Sequence, residues 1–339
     1  MAFYKILKDY PEGAAEPGQA GWIAERLLRL RGDLGTQIKE NREPESLIVG
    51  SWNIRAFDGG RPRMAEAFHY IAEIIDHFDI CAVQEIKKDL APLERLMRLL
   101  GPNWDYFVTD ITAGSRGNDE RMAFLYDRNK VRFRNLIGEI VLPSDQLLGG
   151  EQFARSPFFA AFQAGWFRFT LCSTHIVFGG TSAEDLELRA SEVRAIAKVL
   201  ADRAKETGEV QILLGDMNIE QPDDPIMRAM TDQGFHVPLF GATNLSGSKH
   251  FDQIAFTGQD VRTHLITHSA FDWRGAVFGE ADKAAYKAPA EAARGEPFAN
   301  WDRSYRGWTT HEMSDHLPIW IEIRTDYSDA YLRRFLPAA

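Results

Sequence analysis

Cysteine is nearly missing from this chain: two in 339 residues, Cys81 and Cys172, each inside an apolar run. That excludes a disulfide-stapled scaffold and leaves both thiols as expected core residues. Nothing resembles a thiolate or multi-histidine zinc site. No stretch approaches the ~20 apolar residues of a membrane span, and the run from Met1 to Tyr10 lacks the apolar segment of a signal peptide. The expectation is a cytoplasmic protein with no membrane insertion. Positive charge is scarce as well, the formal net charge being −10. Non-specific affinity for nucleic acid comes mostly from Lys and Arg on phosphates, so a uniformly basic surface is excluded. A local basic rim beside an acidic metal site is not. Internal repeats are absent, and the only biased segment is the Ala-rich stretch 284–293.

What is present is ordinary globular material, 45% hydrophobic and 26% charged, enough for a large core. By length alone, about 150 residues per domain would give roughly two domains. The polar clusters described next run from Trp52 to His316, so both halves must pack together. The expected organisation is an N-terminal extension (1–45) with an amphipathic helix near 22–30, a single catalytic domain (46–325) and a C-terminal tail (326–339). Strand patterns fall at 47–49, 79–85, 122–126, 158–162, 167–175, 211–214, 251–256 and 318–323. Helical spacing runs through Met64, Phe68, Ile71 and Ile75, and again over 184–206, where Gly208 closes the helix.

Several strand patterns end in polar clusters: Trp52-Asn53, Gln84-Glu85, Gly215-Asp216-Met217-Asn218, and Ser314-Asp315-His316-Leu317-Pro318 just before the last strand. Open α/β sheets place ligands at such strand ends. Glu85, Asp216 and Asp315 offer hard anionic oxygens, and Asn53 and Asn218 offer amides. This set suits Mg²⁺ or Mn²⁺. His175 and His316 titrate near neutral pH when unperturbed and are candidates for proton transfer. Together these groups point to metal-assisted hydrolysis of a phosphate ester. Arg55, Arg61, Arg63, Lys87, Lys88, Arg116, Arg121 and Arg155 lie near the clusters as a candidate basic rim.

The clusters, in this order, resemble the endonuclease/exonuclease/phosphatase superfamily and, within it, the pancreatic-type (DNase I-like) deoxyribonucleases. The segments that carry the likeness are Trp52-Asn53-Ile54-Arg55-Ala56-Phe57, Gln84-Glu85-Ile86-Lys87, Glu120-Arg121, Arg155-Ser156-Pro157, Phe251-Asp252-Gln253-Ile254 and Ser314-Asp315-His316. The resemblance implies an α/β (α+β) fold, a four-layered sandwich of two mixed sheets flanked by helices. It implies metal ligation by Glu85 and Asp315 and a supporting amide at Asn53. Asp216 and Asn218 would contact the scissile phosphate, a water or a second ion. Arg155 would meet a substrate phosphate, with Arg55 and Lys87 beside it. Two carboxylate–imidazole pairs follow, Glu120 with His175 and Asp252 with His316. His316 is the expected base and His175 the group that stabilises phosphate or helps the alcohol depart, the reverse being chemically open. DNA, cut with low sequence preference, is the expected substrate. The alternative is a small phosphorylated substrate such as a nucleotide, sugar phosphate or lipid headgroup. A silent binding module is disfavoured because every hydrolytic group is retained. The segment 284–308 interleaves Tyr286, Trp301, Tyr305 and Trp308 with Lys287, Arg294, Arg303 and Arg306. It reads either as a substrate-stacking surface or as a packed surface loop.

Overall fold

Alternating apolar residues need a partner surface on each buried face, and this chain supplies two sheets that cover one another. A computed structural model describes residues 2–40, 42–57, 59, 61–112, 118–258 and 264–336. Its strands are β1 (Ser46–Phe57), β2 (Ile80–Ile86), β3 (Trp104–Val108), β4 (Arg121–Asp127), β5 (Arg132–Glu139), β6 (Phe158–Ala164), β7 (Phe167–His175), β8 (Val210–Asp216), β9 (Asp252–Thr257), β10 (Leu265–Ala270) and β11 (Ile319–Arg324). One sheet runs β10-β11-β1-β2-β4-β3 and the other β5-β6-β7-β8-β9. Both are mixed: β1/β2 and β7/β8 are parallel, and the remaining pairs antiparallel.

The helices are α1 (Ala20–Leu34), α2 (Ala65–Ile75), α3 (Ala91–Leu100), α4 (Ala183–Thr207), α5 (Pro225–Thr231), α6 (Lys283–Arg294), α7 (Trp301–Glu312) and α8 (Ser328–Arg333). Between the sheets, Leu47, Val49, Ile80, Ala82 and Phe124 meet Phe162, Phe169, Leu171, Ile212 and Leu214. On the outer face of the first sheet, Ile48, Trp52, Cys81 and Val83 pack with residues of α1, α2, α3, α6 and α7. On the outer face of the second, Cys172, Leu213 and Ala255 pack with α4 and α5. This gives the four expected layers. Strands covered on both faces read as near-continuous apolar runs, which is why β1, β2 and β8 stand out in the sequence. Cys81 and Cys172 are buried free thiols.

Helix α4 begins on a capping box between Ser182 and Asp185 and ends at Gly208 in the left-handed region, φ 69°. The segment 284–308 is a pair of helices rather than a loop. Trp301, Tyr305 and Trp308 recur at helical spacing and are buried with Tyr286 in the outer core of the first sheet. The Tyr305 and Trp308 rings stack at 5.8 Å. These rings are therefore structural and unavailable for stacking on bases. Arg303 and Arg306 lie on the exposed face, and Arg306 donates to the Leu245 carbonyl at 2.6 Å.

Candidate active site

Register places the polar residues side by side. In the second sheet His175 at the end of β7 pairs with Asp216 at the end of β8, and Asp216 pairs with Asp252 at the start of β9. Gly215 has φ 128°, and a Cβ there would lie 2.0 Å from the Thr174 carbonyl oxygen, so only glycine carries the chain into Asp216. In the first sheet Asn53 pairs with Gln84, after which β1 bulges: Ile54, Arg55 and Ala56 oppose the single residue Glu85. Glu85 takes φ 62° and Ala56 φ 44°. This backbone is costly for side-chain-bearing residues. It turns the Glu85 carboxylate back, so that one oxygen accepts from the Ala56 N–H at 2.7 Å and the other from Asn53 Nδ2 at 3.0 Å.

Asn53 Nδ2 also donates to Asp216 Oδ2 at 3.0 Å, crossing from one sheet to the other. Because neither carboxylate can donate, the NH₂ end of the amide must face both. Two imidazoles flank Asp216. His175 Nε2 lies 3.6 Å and His316 Nε2 3.7 Å from Asp216 Oδ2. His175 Nδ1 lies 3.1 Å from Glu120 Oε2, and His316 Nδ1 is 2.8 Å from Asp252 Oδ2. Each ring therefore has its own carboxylate behind it and a shared one in front, a disposition that fixes ring orientation.

The supporting bonds are specific. Glu120 is also engaged by Lys87 Nζ at 2.9 Å and Arg155 Nη2 at 3.1 Å, while Arg155 Nη1 donates to the His175 carbonyl. Asp252 Oδ2 accepts from Thr243 Oγ1 at 2.7 Å. Asn218, at φ 53°, donates its amide to the Ile176 carbonyl, and its own N–H bonds Asp216 Oδ1. Ser314 Oγ donates to the Asn53 carbonyl and accepts from the His316 N–H, and Trp52 Nε1 donates to the His316 carbonyl. Gln84 Nε2 reaches Ser173 Oγ on the other sheet at 3.0 Å. Thr243, Ser314 and Gln84 thus position the site. Ser314 and Gln84 stand inside its sequence clusters; Thr243 had no local signal.

Charges follow from these contacts. Burial opposes protonation of His316, but Asp252 and Asp216 outweigh it and lift the ring to about 10. Burial would raise Glu120, yet His175, Arg155 and Lys87 outweigh it and hold the carboxyl down to about 2. Burial likewise opposes the charge of Glu85, and the His175 ring still brings it below its usual value. For Asp216 burial wins, reinforced by the negative charge of Asp252, and its pKa is raised.

A raised folded-state pKa stabilises the native protein fully below the unfolded value, about 6.5 for His, and that contribution is lost as pH rises through about 10. Asp252→Asn removes the main source of the shift. Its loss of Tm with rising pH is expected to be smaller than in the wild type and to be complete at a lower pH, both measured in chelator. Superimposable Tm–pH profiles for the two proteins would contradict the ion pair.

Of the expected site residues, Asn53, Glu85, Glu120, His175, Asp216, Asn218, Asp252 and His316 come together, with Lys87 and Arg155 joined through Glu120. Asp315 is half-buried beside His316, and its carboxylate belongs to neither close cluster of ligand atoms, Glu85/Glu120/His175 or Asp216/Asp252/His316. Arg55 is exposed and donates to Thr310 Oγ1 at 2.6 Å. Arg63 is buried and bonds the Arg55 carbonyl, and Arg121 donates to the Thr109 carbonyl. Arg116 lies outside the described residues. A hard divalent cation fits this donor set. Glu120 is engaged by Lys87, Arg155 and His175, and Asp252 Oδ2 by His316 and Thr243 while its buried Oδ1 has no hydrogen-bond partner among the described residues; Glu85 keeps one fifth of its side chain exposed. The buried Asn53 Oδ1 has no hydrogen-bond partner among the described residues.

A two-sheet sandwich with carboxylates, amides and two imidazoles gathered on one edge is the architecture of a phosphoesterase. The chain belongs to the Endonuclease/Exonuclease/phosphatase family, whose model matches residues 50–316. Solved structures share the fold. A Bacteroides thetaiotaomicron mannosyl-6-phosphatase is 19% identical, with a TM-score of 0.54, 82% of this chain and 99% of that one covered. The human Nocturnin catalytic domain with bound sulfate is 15% identical, with a TM-score of 0.54, 84% and 94% covered. A humanized D. rerio TDP2 is 11% identical, with a TM-score of 0.53, 82% and 99% covered. No curated protein sequence matches the chain. Among the described residues no helix is long and apolar enough to cross a membrane.

Proposed function

We propose that the chain is a divalent-metal-dependent phosphodiester hydrolase acting on DNA with little sequence preference. The observation that carries this reading is the pair of imidazoles aimed at one oxygen of Asp216, each backed by its own carboxylate. Ester hydrolysis needs a proton taken from water and a proton given to the departing alkoxide, and two rings flanking one position supply both. Glu85 and Asn53 would hold the cation, Mg²⁺ or Mn²⁺, with Asp216, Asn218 and Asp315 as further candidate ligands. When bound, it neutralises charge on the phosphoryl oxygens. Reversing the expected assignment, His316, kept protonated by Asp252 and Asp216, is the donor to the leaving group, and His175 with Glu120 takes the proton from water. Asn218 orients the phosphate beside Asp216. Arg55, Lys87 and Arg155 place positive charge near the neighbouring phosphates.

A second reading, a small phosphorylated substrate, is favoured by two observations. The net charge of −10 opposes a polyanion, and His175, Asp216, Asn218 and His316 are all buried. Plasmid nicking with and without EDTA, run beside a panel of sugar, nucleotide and lipid-headgroup phosphates, separates the two. Metal-dependent nicking is expected. Intact supercoiled plasmid alongside metal-dependent turnover of one small ester would replace the first reading with the second.

A further inference from the structure

The pole of the sandwich opposite the catalytic edge carries a cleft of about 830 Å³ with an unusual lining. It lies at the Phe167 end of β7, and nine residues of extended strand put it roughly 26 Å from His175. Trp166, Phe167, Tyr327 and Tyr331 contribute rings, and Arg168 and Arg334 contribute guanidinium groups. Trp166 and Tyr331 are 45% and 42% exposed, large values for aromatic side chains.

These rings are held in place. The Trp166 backbone N–H donates to the Thr325 carbonyl at 3.1 Å, and Tyr327 OH donates to the Trp166 carbonyl at 2.6 Å. The Trp166 ring lies 5.8 Å from Tyr327 and 5.5 Å from Tyr331, so three rings from two separate chain segments form one wall. Neither Arg168 nor Arg334 pairs with a carboxylate among the described residues. The acidic lining residue, Glu209, is bound to Arg134 at 2.6 Å. In a protein of net charge −10, this is a locally positive, ring-lined cavity within the usual ligand-site size of about 300–1,000 Å³.

We propose that this cleft is a nucleotide-binding site, separate from the catalytic edge, that stacks an aromatic base on Trp166 and Tyr331 and holds its phosphate with Arg168 and Arg334. Rings alone would suit any apolar ligand, and arginines alone any anion. Their combination on one wall selects a molecule that carries both, and a base–phosphate unit does so at the right scale. The unit is either a free nucleotide or part of a single strand. The inference stands whichever ester the catalytic edge cleaves.

The test is calorimetric titration in EDTA with adenosine monophosphate, ribose 5-phosphate, inorganic phosphate and an oligothymidylate. Adenosine monophosphate is expected to bind at least tenfold more tightly than either base-free phosphate. Trp166→Ala and Arg168→Glu, both at exposed positions, are each expected to weaken it by about tenfold, with metal-dependent hydrolysis of a small phosphate ester unchanged. Tighter binding of the oligonucleotide identifies a strand as the ligand, and equal binding a free nucleotide. No binding of either, or affinity for adenosine monophosphate indifferent to both substitutions, overturns the proposal.

Discussion

His316→Ala is expected to lower kcat by about 10²–10⁴-fold with little change in KM, and His175→Ala by a similar factor, because each removes one proton-transfer group from the reaction. The rings share Asp216 at 3.6 and 3.7 Å. They therefore act as a unit, and the double variant should fall well short of the product of the single losses. The pH profile distinguishes their roles. If His316 donates its proton, kcat declines on the alkaline side as that ring, held at about 10, deprotonates. Asp252→Asn then moves the alkaline limb toward neutral pH. If His316 instead accepts the proton, the same substitution moves the acid limb. A loss below about tenfold in His316→Ala would remove this ring from the chemistry.

Much of this site was legible because each residue type has a fixed relation to its strand. Asn53, Glu85, His175 and Asp216 close apolar runs that could only be buried strands, so their side chains had to emerge at strand ends. Their partners were less visible. Thr243 belongs to the connection before β9 and reaches Asp252 only through the tertiary fold. The assignment of Lys87 and Arg155 to Glu120 likewise depends on three distant segments meeting.

The undetected strands are all at or beside sheet edges. β5 alternates exposed and half-buried positions and carries Arg132, Arg134 and Glu139, and β10 is half-buried except at the exposed Thr267. Neither faces enough core to impose an apolar pattern. In 284–308, Pro289, Gly295 and Pro297 suggested a loop. Pro289 sits within α6, and Gly295 is the left-handed cap that ends it at φ 79°. The decisive signal was the spacing of Trp301, Tyr305 and Trp308, which marks one buried helix face. The same aromatic and basic letters occur in base-stacking surfaces, so composition alone left two readings open and burial separated them.

Asp282→Ala is expected to destabilise the protein by about 3–5 kcal/mol, the usual result of stranding a buried partner charge. Arg26 on α1 bonds Asp282 Oδ1 at 2.7 Å, with side chains only 6% and 4% exposed, and Arg29 approaches Oδ2 at 3.5 Å. The Arg26 guanidinium lies over the Trp22 ring. Trp22 Nε1 donates to Tyr286 OH at 3.0 Å, and that hydroxyl donates to Glu66 on α2 at 2.6 Å. The pair thus sits where α1, α2 and α6 meet over the outer face of the first sheet. Removing both charges tests the cause. Arg26→Met with Asp282→Leu should recover most of the loss, since well-packed apolar residues often match a buried ion pair. Urea denaturation followed by far-UV circular dichroism, compared at constant m-value, measures each step. A single-variant loss below about 1 kcal/mol would mean that α1 is held by its apolar face alone, through Ile23, Leu27, Leu30 and Leu34. Recovery confined to the double variant would instead make the ion pair a device that fixes where α1 docks, its orientation set by one charge match and its adhesion by the apolar contacts beside it.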